Sequence, residues 1–240
     1  MAKEYKVDYY SILGFVGFAI LTVFIWRFYY GYYILYPFTI MGTWFHEMGH
    51  GIMAIIVGGD FVKLEIFPNG SGLAWNRLPT DISPYARALV SAAGLFGPPV
   101  VGSILILMSK SFKKSKIILY ILSISMIISV AIWVRTTVGV VVISSLGLVF
   151  LFIAIKAKPM IQQFVVQIIG IMACVDTYKQ IGYLYTERVT VGGQEESWSD
   201  TGSITAQLGM SYSFWGTLIL IISFIMLIYS LYLRNRTLVK

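Results

Sequence analysis

The chain has 240 residues, 58% of them hydrophobic and 12% charged, with a mean hydropathy of +0.79. A soluble domain carries roughly a quarter charged residues, so a soluble globular protein is excluded and a lipid-embedded one indicated. The net charge of +7 does not imply nucleic acid, because basic residues gather in short links between apolar runs, as at Lys110, Lys113, Lys114 and Lys116; such links are topology signals and contacts for anionic headgroups.

Lys3 and Lys6 precede an apolar stretch over 9–26, and bulky aromatics at 28–33 stand where a signal-peptide cleavage site would need small residues. The stretch therefore reads as a retained first span. Further apolar runs place spans near 9–27, 35–57, 86–108, 117–134, 137–155, 160–179 and 212–233, each close to the length that crosses a hydrocarbon core. The expected fold is all-α and polytopic, with about six or seven transmembrane helices in one transmembrane domain over 1–240. Tyr36 and Pro37 divide the first two spans, since proline disfavours helix in the residue before it and suits the opening turn of a new one.

Seven spans put the 109–116 link, Lys156 with Lys158, and Arg234, Arg236 and Lys240 on one cytoplasmic side. They put Lys3 and Lys6 on the other, against the positive-inside rule, and one re-entrant segment would reverse that parity. The lone Cys174 lies in an apolar run, which excludes an internal disulfide and makes it a small buried hydrophobe.

The second run contains Trp44-Phe45-His46-Glu47-Met48-Gly49-His50, which uses both histidines of the chain. Residues i and i+4 share a helix face, so His46 and His50 can grip one ion, with Glu47 beside them as general base. A carboxylate within a bilayer helix costs about 2.5 to 3.5 kcal/mol, and a divalent cation would offset that cost. Catalytic zinc normally takes three protein ligands and leaves a position for water. With no third histidine, a carboxylate is the natural choice. Asp176 follows the apolar 168–175 inside a predicted span, and Asp200 is the runner-up; the alternative for Asp176 is a span-end acid that pairs with Lys179 or merely meets water. Cys174 is a weaker ligand, and Asp60 and Asp81 read as loop acids.

After this run, residues 58–84 are polar enough to leave the hydrocarbon. Within them 61–66 alternates with the period of a strand, Asn69-Gly70-Ser71-Gly72 offers a turn, and Leu73, Ala74 and Trp75 return. A small β-hairpin thus follows the HEMGH helix, either as a connector or as an edge to which an extended substrate adds. Ser91, Ala92, Ala93, Gly94, Gly97 and Gly102 suit close helix packing, and Pro98 with Pro99 would break or kink their helix. Residues 186–210, with Glu187, Glu195, Glu196 and Asp200 among Gly and Ser, read as a solvated loop.

HEMGHGIMAIIVGG, FPNGSG, SAAGLFGPPVVGS and SDTGSITAQLG together resemble the site-2 protease family of intramembrane zinc metallopeptidases, in its compact bacterial and archaeal branch. The resemblance implies that His46 and His50 bind Zn2+ with an aspartate from a later helix, that Glu47 activates water, and that a membrane-protein or peptide substrate is cut within its span. It departs at the third ligand: Asp176 sits in Val-Asp-Thr, without the Asn-Pro-Asp-Gly or Leu-Asp-Gly setting of the family. The protein is thus expected to be a multi-pass metalloendopeptidase of the cell membrane, partnered by lipid and not by nucleic acid. The competing expectation is a metal-binding membrane protein without proteolysis, a transporter or a regulatory pseudoprotease.

Overall fold

The computed structural model describes residues 5–193 and 196–238; Lys3, Glu195 and Lys240 of the sequence reading lie outside the described residues. In chain order come β1 (Tyr5–Val7), α1 (Tyr9–Ile25), α2 (Tyr29–Ile56), β2 (Asp60–Ile66), β3 (Gly72–Arg77), α3 (Pro84–Met108), α4 (Phe112–Ile132), α5 (Thr137–Lys156) and α6 (Pro159–Lys179). They are followed by α7 (Ile181–Leu184), β4 (Arg188–Val189), β5 (Ser197–Trp198), α8 (Asp200–Leu208), α9 (Tyr212–Asn235) and β6 (Arg236–Leu238). The chain is an all-α polytopic membrane protein: α3, α4, α5, α6 and α9 are each long and apolar enough to cross a bilayer, and α1 with α2, bent by 115°, makes up to a sixth crossing.

The bend corrects the expected division at Tyr36 and Pro37. Pro37 lies inside α2, and the chain turns earlier, at Trp26, Arg27 and Phe28, whose backbone N–H groups bond back to Thr22, Phe24 and Ile25 carbonyls. A helix in a membrane tolerates the donor that proline lacks when neighbouring elements pack around it. The elbow is pinned by the Trp26 indole N–H, which donates to Thr39 Oγ1 at 3.0 Å. Pro98 and Pro99 also sit inside an uninterrupted helix, α3.

The small-residue stretch of α3 brings neighbouring helices together, as in other membrane bundles. Gly97 lies against the Phe45 carbonyl of α2, and Gly102 against the Gly170 carbonyl and Cys174 of α6. Cys174 is fully buried in that contact, as the sequence indicates. A larger apolar core joins α2, α4, α5 and α6 around Ile40, Trp44, Met126, Ile143 and Ile169. Within it the Trp44 indole donates to Ser129 Oγ of α4 at 2.8 Å, so the face of α2 opposite the histidines is fixed by a buried hydrogen bond.

The hairpin forms as expected. β2 and β3 pair antiparallel from Asp60 with Arg77 to Ile66 with Gly72, with one irregularity between Phe61 and Lys63. The outer edge of β2 is occupied by the α4–α5 link, where Leu64 N donates to the Trp133 carbonyl and Arg135 N to the Leu64 carbonyl. Among the described residues no strand pairs with the outer edge of β3. That edge runs past α2, with Thr43 Oγ1 donating to the Gly70 carbonyl.

β1 pairs antiparallel with β6, which sets Tyr5 opposite Leu238 and Val7 opposite Arg236. Two strands at opposite ends of the helical chain can pair only if an even number of crossings separates them. The candidate spans number five, or six when α1 and α2 count as one, and of these six is the even count. The region over 186–210 is likewise more than a solvated loop, because α8 buries Asp200, Thr201, Gly202 and Ile204 against its neighbours.

Candidate metal centre

His46 and His50 lie one turn apart on α2 and face each other, their Nε2 atoms 3.0 Å apart. The HEMGH spacing produces this directly. His50 Nδ1 donates to the Val90 carbonyl of α3 at 2.8 Å. A carbonyl can only accept, so the proton is on Nδ1 and the Nε2 lone pair is turned inward, the form in which imidazole binds a metal. Gly94 makes room for this ring: a Cβ there would come within 2.1 Å of His50 Nε2.

The third group is Asp200. Its Oδ2 is 2.9 Å from His46 Nε2 and its Oδ1 3.3 Å from His50 Nε2. Ligands at tetrahedral zinc, with bonds near 2.0 to 2.2 Å, stand about 3.3 Å from one another. The three groups thus converge to nearly the separations that one ion imposes, and among the described residues they form the cluster suited to hold one. Asp200 opens α8, where Ser199 caps the helix by accepting from Gly202 N at 3.0 Å.

Asp176 stands outside this cluster. It is 1% exposed on α6, its Oδ1 3.1 Å from Lys179 Nζ and its Oδ2 accepting from Gln180 Nε2 at 2.6 Å. Lys179 also lies over the Trp26 ring, 5.2 Å from its centre. The span-end pair, the alternative in the sequence, is the arrangement the structure has. Cys174 is in the α3–α6 contact with its thiol facing the Pro99 carbonyl, and Asp60 and Asp81 are exposed hairpin-region acids.

Glu47 is 6% exposed and lines a cavity of about 420 Å³ together with His46, Thr43, Gly72, Lys179, Gln180 and Tyr183. Gly72 of β3 clears its side chain, since a Cβ there would meet Glu47 Oε1 at 2.8 Å. The hairpin edge and the candidate base therefore share one cavity wall. Sequence reading missed Tyr183, whose hydroxyl donates to Asp200 Oδ2 at 3.0 Å. One tyrosine among 16 carries no local mark. For Asp200 the local mark is a Ser cap followed by Asp-Thr-Gly, the start of a helix inside an otherwise polar stretch.

The HExxH helix, the carboxylate that closes the histidine pair and the glutamate in the adjoining cavity make an arrangement compatible with metal binding in a polytopic helical membrane protein. The chain belongs to the Peptidase M50B-like family, which it matches over residues 15–230, in accord with the site-2 protease resemblance. No curated protein and no solved structure matches it.

Proposed function

We propose that the protein is an intramembrane zinc metallopeptidase in which His46, His50 and Asp200 hold Zn2+ and Glu47 is the general base. The observation that carries this reading is the convergence of two imidazole Nε2 atoms and one carboxylate, with His50 Nδ1 already committed to Val90. Zinc supplies Lewis acidity toward the scissile carbonyl and acidifies water. Glu47 takes the proton of the attacking water and passes it to the leaving amine. The outer edge of β3, with which no strand pairs among the described residues, supports a substrate that is a membrane protein or peptide in extended form, laid along Gly72 to Ala74 by backbone hydrogen bonds. A multi-pass protein of the cell membrane is the corresponding setting.

The test uses Glu47→Gln and His46→Ala in detergent or vesicles. The Gln variant keeps zinc and loses cleavage by about 10²- to 10⁴-fold, the usual contribution of a positioned base, whereas the Ala variant loses the metal. Cleavage by the Gln variant at the wild-type rate would overturn the mechanism. A wild-type protein that holds zinc yet cuts no membrane substrate would instead favour the non-proteolytic alternative.

A further inference from the structure

We infer that Tyr183 is a positioning residue that fixes the Asp200 carboxylate in its ligand geometry, an inference that rests on the zinc reading above. The phenol oxygen is bonded twice to the same residue: it donates to Asp200 Oδ2 at 3.0 Å and accepts from Asp200 N at 3.1 Å. One group thus ties the main chain of Asp200 to its own carboxylate and restricts rotation of the side chain. The Tyr183 ring is in turn held edge-on to His46, with centres 6.3 Å apart, so ligand and imidazole are set by a shared neighbour.

Further bonds join the same two segments. Thr201 Oγ1 donates to the Leu184 carbonyl at 3.2 Å, Ser199 Oγ to the Thr186 carbonyl at 2.5 Å, and Ser199 N to the Glu187 carbonyl at 2.9 Å. These latch the start of α8 to the chain that follows α6, and none of them touches the carboxylate. The latch therefore places the backbone, and the Tyr183 hydroxyl alone restrains the Asp200 oxygens from this segment. Outer partners of metal ligands act in this way, by orienting the donor atom before the ion arrives.

The separation makes the role testable with Tyr183→Phe, which keeps the ring and removes only the hydroxyl. The control is Tyr185→Phe, which removes a hydroxyl bonded to Thr217 Oγ1 at 2.8 Å in the same segment. Purified wild type and both variants are titrated with Co2+ and Zn2+ while the visible cobalt band is recorded. The expected result is a folded Tyr183→Phe protein whose metal affinity falls about 10- to 100-fold and whose cobalt band shifts, with Tyr185→Phe matching wild type in both. An unchanged affinity and band in Tyr183→Phe overturns the positioning role and leaves the zinc reading standing. A wild type that takes up neither ion overturns both. Should Tyr183→Phe not fold, 3-fluorotyrosine at position 183 keeps the ring and hydroxyl in place while it strengthens the hydroxyl as donor and weakens it as acceptor, altering both of its bonds to Asp200; a moved cobalt band supports the role and an unmoved one overturns it.

Discussion

Asp176 and Asp200 are both buried acids at the ends of helices, and their neighbours separate them. Asp176 has a cation within its own helix at i+3, so its charge is balanced before any ion binds. Asp200 has two imidazoles and a phenol around it, and among the described residues no lysine or arginine pairs with it. Asp200→Asn is accordingly expected to abolish zinc binding while the fold persists. Asp176→Asn is expected to keep zinc and to lower stability by about 1 to 3 kcal/mol, because Lys179 is left partly buried without its partner. Metal analysis and thermal unfolding of the two variants check this, and a zinc-free Asp176→Asn with zinc-loaded Asp200→Asn would reverse the assignment. The difference also explains what could be read in advance. His46, Glu47 and His50 were legible because their geometry is local to one helix, whereas Asp200 meets His46 across 154 residues of chain, and no spacing rule encodes that contact.

At the scale of elements, period and turn chemistry located the hairpin, because alternation at 61–66 and the Asn69-Gly70 turn are local signals. The elbow at Trp26 escaped because its cause is tertiary: Gly31 clears the Ile25 carbonyl and Trp26 reaches Thr39. Pro37, the residue that locally suggests a break, is absorbed by packing. On the hairpin, Lys63, Glu65 and Trp75 form a closed group, with Glu65 accepting from Lys63 Nζ at 2.9 Å and from the Trp75 indole at 2.6 Å. Partial burial works against ionisation of Glu65, but the Lys63 and Trp75 hydrogen bonds win and hold its carboxyl below the usual range. A carboxyl with a lowered folded pKa stabilises above its unfolded value, near about 4.3, and the gain is lost as pH falls through the folded value. Glu65→Gln should therefore loosen β3 by about 0.5 to 1 kcal/mol at neutral pH and match wild type in strong acid. Amide exchange of β3 at the two pH values measures the difference; a variant as protected as wild type at neutral pH would remove this group from the hairpin's support.

For the whole molecule, the β1–β6 pair resolves the charge conflict that a seven-span count creates. With α1 and α2 counted as one crossing, the strands at the two ends, the 109–116 link and the Lys156–Lys158 link fall on one side of the bilayer. The hairpin, the Trp133–Arg135 link bonded to it and the segment carrying Asp200 fall on the other. Every lysine-rich link then lies on a single face, as the positive-inside rule requires, and the His46, His50 and Asp200 cluster of α2 and α8 lies toward the opposite face. Cys174, the single native thiol, is fully buried, so wild-type protein in sealed vesicles is expected to resist a membrane-impermeant maleimide from either side. Against that silent background, Lys113→Cys and Asn69→Cys are expected to label from opposite sides, and Lys158→Cys from the same side as Lys113→Cys. Labelling of Lys113→Cys and Asn69→Cys from one side would require another crossing between the hairpin and α4, and the six-crossing arrangement that brings Asp200 to the histidines would have to be abandoned.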